Sequence, residues 1–300
     1  MRPAFSVIFL TTLCGAGQGL LLAIYGAQLA SVPPRGLVLA GGVLAAALAA
    51  LGLFASFFHL GRLKPAWRAA SQWRTSWLSR EVIALPVFIA LSLLYAFTGS
   101  FFIGTAALAA CIALFVCTGM IYACLKFLQE WASPLTLVNF VLLGCASGFT
   151  LAAALTALFA PSLVVPYAAA AVVLTLLGLA TRGASLARNA RLKARSTVQS
   201  AIGASHPRVA QRSQGFTGGS FNTREFFHGA SRAKLAAVKW SFLVLAFAAP
   251  VVLIAAALAL GSLGLLAAAF PVQYLGLLAE RWFFFAQANH PQNLYYQAIA

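Results

Sequence analysis

Long apolar stretches separated by short polar breaks make up most of this 300-residue chain. A helix needs about 20 apolar residues to cross the roughly 30 Å hydrocarbon core of a bilayer. Because the stretches are rich in Leu, Ala and Gly and do not alternate with polar residues, they favour helices over an outer-membrane barrel. The pattern predicts an all-α integral membrane protein, a bundle of eight transmembrane helices, with spans at about 5–30, 36–60, 80–99, 101–128, 135–160, 163–182, 236–260 and 263–286.

Two links between the spans are longer than simple turns. The link between the second and third spans combines basic residues with Trp67, Trp73 and Trp77, side chains typical of the lipid headgroup zone. The sixth link, a basic loop at about 183–233, becomes rich in Gly, Ser and Gln in its second half. Because loops of this length are usually functional or disordered, we expect one membrane domain over 1–300 with this loop as a partner contact or a lipid-binding segment.

Charge is scarce and lies on one side of the predicted bundle. The chain is 62% hydrophobic and 8% charged, with a formal net charge of +16, whereas a soluble domain is about 25% charged. An even number of spans puts both termini on the side of the second, fourth and sixth links, together with 19 of the 20 Lys and Arg residues, all but Arg35. The positive-inside rule predicts a bacterial inner membrane protein with cytoplasmic termini and explains the charge without a nucleic-acid partner.

The cysteines and histidines do not form a recognisable metal or haem site. None of the five cysteines belongs to a C-x-x-C pair, so no iron–sulfur or zinc framework is expected in this chain. A b-type haem between spans needs histidines on facing helices, but only His59 ends a span. We therefore predict no resident metal and no haem.

His59 ends the second span and Glu81 begins the third, so both lie at the same membrane level. A structural interpretation is available for each residue. Glu81 suits the positive end of a helix whose N-cap is Ser79, and His59 suits a helix C-terminus.

A quinone site is the functional interpretation of the same pair. Quinone chemistry moves two electrons and two protons, and it needs a hydrogen-bond donor and a carboxyl group near water. His59 and Glu81 supply these groups, and Phe57, Phe58 and Trp77 are available to hold the ring.

Several motifs resemble the membrane-anchor subunits of the dimethyl sulfoxide reductase family, and the resemblance extends over the whole chain. They are Phe58-His59-Leu60-Gly61-Arg62, Trp73-Arg74-Thr75-Ser76-Trp77-Leu78-Ser79-Arg80-Glu81 and Ala279-Glu280-Arg281-Trp282. The resemblance implies a complex with a molybdopterin catalytic subunit and an iron–sulfur subunit docked on the cytoplasmic face, exchanging electrons with ubiquinone or menaquinone. It implies that His59 and Glu81 act at the quinone, and we expect Arg62, Phe58, Trp77 and Arg80 beside them in the binding site.

Within that family the chain looks most similar to anchors of cytoplasmic sulfite-oxidising complexes, through the segments 215–229 and 289–296. This implies electron flow from sulfite to quinone, with no catalysis by the anchor alone. Two alternatives remain open from the sequence. The anchor could serve an S- or N-oxide reductase that oxidises quinol, or the chain could be a membrane transporter, for which charges near the membrane midplane are expected.

Overall fold

The computed structural model is a bundle of eight long helices. It describes residues 1–59, 64–210, 212 and 225–295, and no strand occurs among these residues. All eight helices are long and apolar enough to cross a membrane, which confirms the predicted fold class. Their bounds are α1 Phe5–Ala30, α2 Arg35–Ser56, α3 Trp77–Thr98, α4 Phe101–Ala123, α5 Pro134–Phe159, α6 Val164–Ala190, α7 Arg232–Leu260 and α8 Leu263–Ala286.

Helix α1 lies at the centre of the bundle and packs against α2, α4, α5 and α8. Its backbone approaches that of α5 closely, because glycines face each other where the two helices cross. A Cβ atom at Gly19 would collide with the carbonyl oxygen of Gly144, and one at Gly148 would collide with the backbone of Gly19. Small residues of this kind let the backbones of membrane helices approach closely.

Helix α7 contains one wide turn, a π-helical segment over Val244–Ala248. Pro250 has no N–H group, so the carbonyl of Ala246 loses its usual donor four residues later. Gln273 Nε2 on α8 donates a hydrogen bond of 3.3 Å to that carbonyl instead. The irregular backbone is therefore satisfied by a neighbouring helix, as the bilayer interior requires.

The two terminal segments and three links lie at one end of the bundle, which we call the basic face: the described residues within 1–4, 57–76, 124–133, 191–231 and 287–295. The Met1 amine donates a hydrogen bond of 2.6 Å to Ala288 O. Arg2 N donates to Glu225 O at 2.9 Å, and Asn289 Nδ2 donates to Glu130 Oε1 at 3.0 Å. These bonds join the N-terminus, the end of the long loop, the α4–α5 link and the C-terminal segment.

Basic groups on this face are partly shielded from water. Burial lowers the pKa of the Met1 amine from 8.0 to about 6, and the nearby Glu130 carboxylate opposes that change. His290 stacks on Phe226 with 4.1 Å between the ring centroids. Burial and the N-terminal charge both lower the pKa of His290 and of His228. Burial thus favours the uncharged form of all three groups.

Candidate functional site

His59 and Glu81 line one cavity of about 160 Å³ at the basic-face end of the bundle. Helix α2 ends at Ser56, and a 3-10 turn over Phe57–His59 carries the histidine beyond it. Glu81 lies on the second turn of α3 and is buried. Because α2 and α3 run antiparallel, the end of one and the beginning of the other face the same space.

The rest of the cavity wall is apolar and comes from four parts of the chain. Helix α1, the end of α2, the interfacial 3-10 helix Ala66–Ala70 and the first turns of α3 contribute to it. Besides His59 and Glu81, the lining residues are Leu10, Leu53, Ser56, Phe57, Ala66, Ala69, Leu78, Val82 and Leu85.

Two of the lining residues are exposed on the surface of the bundle. Phe57 and Leu78, at the edge of the cavity, are 44% and 53% exposed on the protein surface. The cavity volume is below the roughly 300–1,000 Å³ of pockets that enclose a whole drug-sized ligand. The space therefore suits a single flat ring whose apolar tail remains in the bilayer.

Thr118 on α4 holds the carboxyl group of Glu81. Its hydroxyl donates a hydrogen bond of 2.5 Å to Glu81 Oε1, and both side chains are buried. Sequence reasoning missed Thr118, because α4 is apolar on all sides and no pattern marks the face that meets α3. Thr118 is one of three hydroxyl-bearing residues in α4, with Thr105 and Tyr122, and the sequence does not single it out from the other two.

The N-cap of α3 is Ser76, so the prediction of Ser79 was wrong. Ser76 Oγ accepts a hydrogen bond of 3.3 Å from Ser79 N. The helix begins at Trp77, which makes Glu81 its fifth residue and leaves no acidic residue in the first turn. The helix dipole consequently explains little of the position of Glu81, since its effect falls off within the first turn.

Phe58, Trp77 and Arg80 were also expected in the site, but they do not line the cavity. Phe58 is 76% exposed and packs edge-on against Phe54, with ring centroids 5.4 Å apart. The Arg80 guanidinium lies 4.2 Å from the ring centroid of Trp77.

Arg80 is hydrogen-bonded to the link between α2 and α3. Its guanidinium donates hydrogen bonds of 2.8 Å to Trp73 O and to Arg74 O. These contacts fix the link against the start of α3, in a region suited to lipid headgroups. Arg62, also expected in the site, lies outside the described residues, as does most of the segment 215–229.

Among the described residues, no group of three or more His, Cys, Asp or Glu side chains is placed to hold a metal ion. The chemistry of the cavity is therefore that of one imidazole and one carboxyl group in an apolar surrounding. Such a pair exchanges hydrogen bonds and protons with a carbonyl or hydroxyl oxygen.

Comparisons with known proteins agree with the motifs in the sequence. The family model described as DMSO reductase anchor subunit (DmsC) matches residues 2–256. A sulfite dehydrogenase subunit of Allochromatium vinosum is 53% identical to the chain over 325 aligned positions, and the alignment covers 100% of both chains. The resemblance inferred from the motifs is thereby confirmed.

Proposed function

The chain belongs to the DMSO reductase anchor subunit family, and from this premise we propose that it passes electrons from a sulfite-oxidising complex to quinone. The observation that carries the proposal is the cavity lined by both His59 and Glu81. It offers a ring-sized apolar space with one hydrogen-bond donor and one proton carrier. Its exposed edge allows a quinone to enter laterally from the bilayer.

The two polar residues have different roles in this proposal. Reduction of a quinone to a quinol takes up two electrons and two protons. His59 donates a hydrogen bond to one carbonyl oxygen and so holds the ring in place. Glu81 delivers the two protons one after the other, and after each transfer it regains a proton from the water at the basic face. The electrons come from the partner subunits.

The partners are an iron–sulfur subunit and a molybdopterin subunit, docked on the basic face. The cavity lies at this end of the bundle, so a docked subunit brings an electron donor close to the ring. The positive-inside rule makes this face cytoplasmic, which places both termini in the cytoplasm and the protein in a bacterial inner membrane. The long basic loop is the candidate contact for the partner.

The same residues also serve the reverse reaction, in which quinol is oxidised and an S- or N-oxide is reduced. The observation that favours sulfite oxidation is the name of the 53% identical relative, a sulfite dehydrogenase subunit. The direction of electron flow depends on the potentials of the two couples, which the anchor does not set.

The test uses the assembled complex with Glu81→Gln and His59→Gln. We expect sulfite-dependent quinone reduction to fall roughly 100-fold in Glu81→Gln, because general acid catalysis contributes about that much. His59→Gln removes the imidazole and lowers the rate as well. Sulfite oxidation with a soluble acceptor that takes electrons from the partner subunits stays unchanged in both variants.

Glu225→Gln is the matched control, since Glu225 is an exposed carboxylate on the basic face and does not line the cavity. It should reduce quinone at the normal rate. Full quinone reduction by normally assembled Glu81→Gln and His59→Gln complexes would show that the reaction takes place elsewhere.

A further inference from the structure

Three charged side chains are buried together between α6 and α8. Arg182, Glu280 and Arg281 are 2%, 2% and 4% exposed. Arg182 Nε lies 2.7 Å from Glu280 Oε1, a close ion pair. Arg281 Nε lies 3.8 Å from Glu280 Oε2, which is beyond hydrogen-bond distance. One carboxylate thus faces two guanidinium groups, and the cluster carries one uncompensated positive charge.

The surroundings of the cluster do not supply the missing negative charge. A small cavity beside it is also lined by Arg188 and Glu130. The Arg188 guanidinium donates to Asn189 Oδ1 and to the carbonyl oxygens of Gln129 and Ala132, all of them neutral acceptors. The cavity wall therefore holds three arginines and two glutamates, a net charge of +1.

Three buried nitrogen atoms of the cluster form no hydrogen bond among the described residues: Arg182 Nη2, Arg281 Nε and Arg182 Nε, of which the last is held by the ion pair alone. Glu280 Oε2 also lacks a hydrogen-bond donor there. Aromatic rings stabilise Arg281 in part, since its Cζ lies 3.7 Å from the ring centroid of Phe140. A cation–π contact is weaker than the desolvation of an unpaired buried ion. The ring contacts therefore offset only part of that desolvation.

The start of α5 adds to the positive potential of the cavity. Ser133 is the N-cap of that helix, and both Ser133 and Thr136 line the cavity. The N-terminal end of a helix carries a partial positive charge that favours anions. Glu130 and Arg188 lie towards the basic face, so water-borne ions reach the cavity from that side.

We propose that this cavity binds one monovalent inorganic anion of the size of chloride, held by Arg182 and Arg281. A single negative charge cancels the net charge of the wall and supplies an acceptor to the unpaired nitrogens. The cavity of about 10 Å³ holds one species of roughly atomic size. It is too small for a lipid phosphate or a tetrahedral oxyanion. The site lies apart from the His59–Glu81 cavity and does not depend on the proposed quinone reaction.

The experiment measures thermal unfolding of the purified full-length chain in sodium chloride and in sodium gluconate at equal ionic strength. A ligand that binds only the folded state raises the unfolding midpoint with its concentration. At a chloride concentration tenfold above the dissociation constant we expect a rise of about 2–4 °C over gluconate. Bromide should act in the same way, and its anomalous scattering in crystals should give a peak beside Arg281.

Variants of the cluster should change the chloride effect in opposite directions. Arg281→Gln makes the cluster neutral and should abolish the difference between chloride and gluconate. Glu280→Gln leaves both arginines unpaired and should lower the half-saturating chloride concentration roughly tenfold or more. Arg191→Gln, at an exposed position on the basic face, is the control and should keep the normal response.

Equal midpoints in chloride and gluconate for the unaltered chain would overturn the proposal. A chloride response that Arg281→Gln retains, or that Glu280→Gln weakens, would also overturn it, because the ion would then bind elsewhere. If Arg281→Gln does not fold, the direction of the Glu280→Gln shift and the position of the bromide peak decide the question.

Discussion

The carboxyl group of Glu81 depends on one neighbour, the hydroxyl of Thr118. A buried polar group is unfavourable unless it is hydrogen-bonded, and Thr118 Oγ1 supplies that bond at 2.5 Å. The hydroxyl comes from α4, and Thr118 does not line the cavity itself. Thr118 is therefore a positioning residue that acts through Glu81.

Replacing Thr118 by Val removes the hydroxyl with little change of shape. We expect the turnover rate of quinone reduction to fall about fivefold, because a hydrogen bond of this kind contributes about 1 kcal/mol. The KM for quinone should stay nearly constant, since the cavity wall is unaltered. Thr118→Ser should restore the rate, and Thr98→Val should have no effect, since that hydroxyl bonds to Leu94 O within its own helix. A rate loss in Thr118→Ser as large as in Thr118→Val would exclude a role for the hydroxyl.

At the residue scale the sequence predicts which residues are close in space only where the connections between helices bring them together. His59 and Glu81 flank one link between antiparallel helices, so their common level follows from the order of the spans. Thr118 lies on the helix that follows Glu81 after the short link Gly99-Ser100, but at the opposite end of that helix pair, and Arg182 and Glu280 belong to helices joined by no short link. Both contacts depend on how each helix is rotated in the bundle. Helices as uniformly apolar as α4 show no pattern from which that rotation could be derived.

At the element scale the contact between α1 and α5 is a close approach of two glycine-lined helix faces. Gly15 and Gly19 on α1 meet Gly144 and Gly148 on α5, and each pair is separated by four positions, which places it on one helix face. No side chain fits between the backbones at this crossing. Since α1 also forms a wall of the His59–Glu81 cavity through Leu10, the position of α1 affects the site.

Gly148→Ala tests this crossing, because its Cβ would collide with the backbone of Gly19. Overpacking costs about 1–3 kcal/mol, so we expect the thermal unfolding midpoint in detergent to fall by several degrees. Gly26→Ala on α1 is the control, since a Cβ there meets nothing within 4 Å. It should leave the midpoint unchanged or raise it, because Ala favours a helix over Gly by about 1 kcal/mol. Equal midpoints for the two variants would contradict the proposed packing.

The apolar pattern predicts which segments are helices, but the helix ends depend on other interactions. Helix α6 continues to Ala190, although the apolar stretch ends near Arg182. The arginine does not end the helix, because its side chain is paired with Glu280 inside the bundle. Helix α7 likewise begins at Arg232, within a basic segment. A charged residue thus marks the end of an apolar run, which is not always the end of a helix.

At the scale of the whole molecule, charge and site lie at the same end. The basic face carries both termini and the long loop, and the His59–Glu81 cavity lies beside it. An electron donor docked there would be near the quinone ring, whereas the opposite end carries Arg35 as its one basic residue by the order of the spans. The asymmetry of charge, visible in the sequence, therefore predicts the orientation of the protein in the membrane. It also predicts the end of the bundle at which the proposed electron donor docks.

The most direct test of the central claim is to locate the quinone on the chain. The complete complex in lipid nanodiscs is illuminated with a quinone that carries an azide on its ring, and the labelled peptides are identified by mass spectrometry. We predict labelling within 53–59 and 78–85, the segments of α2 and α3 that line the cavity, and loss of the label with excess unmodified quinone. Label confined to other helices, or label that excess quinone does not displace, would contradict the assignment of His59 and Glu81 to the quinone site.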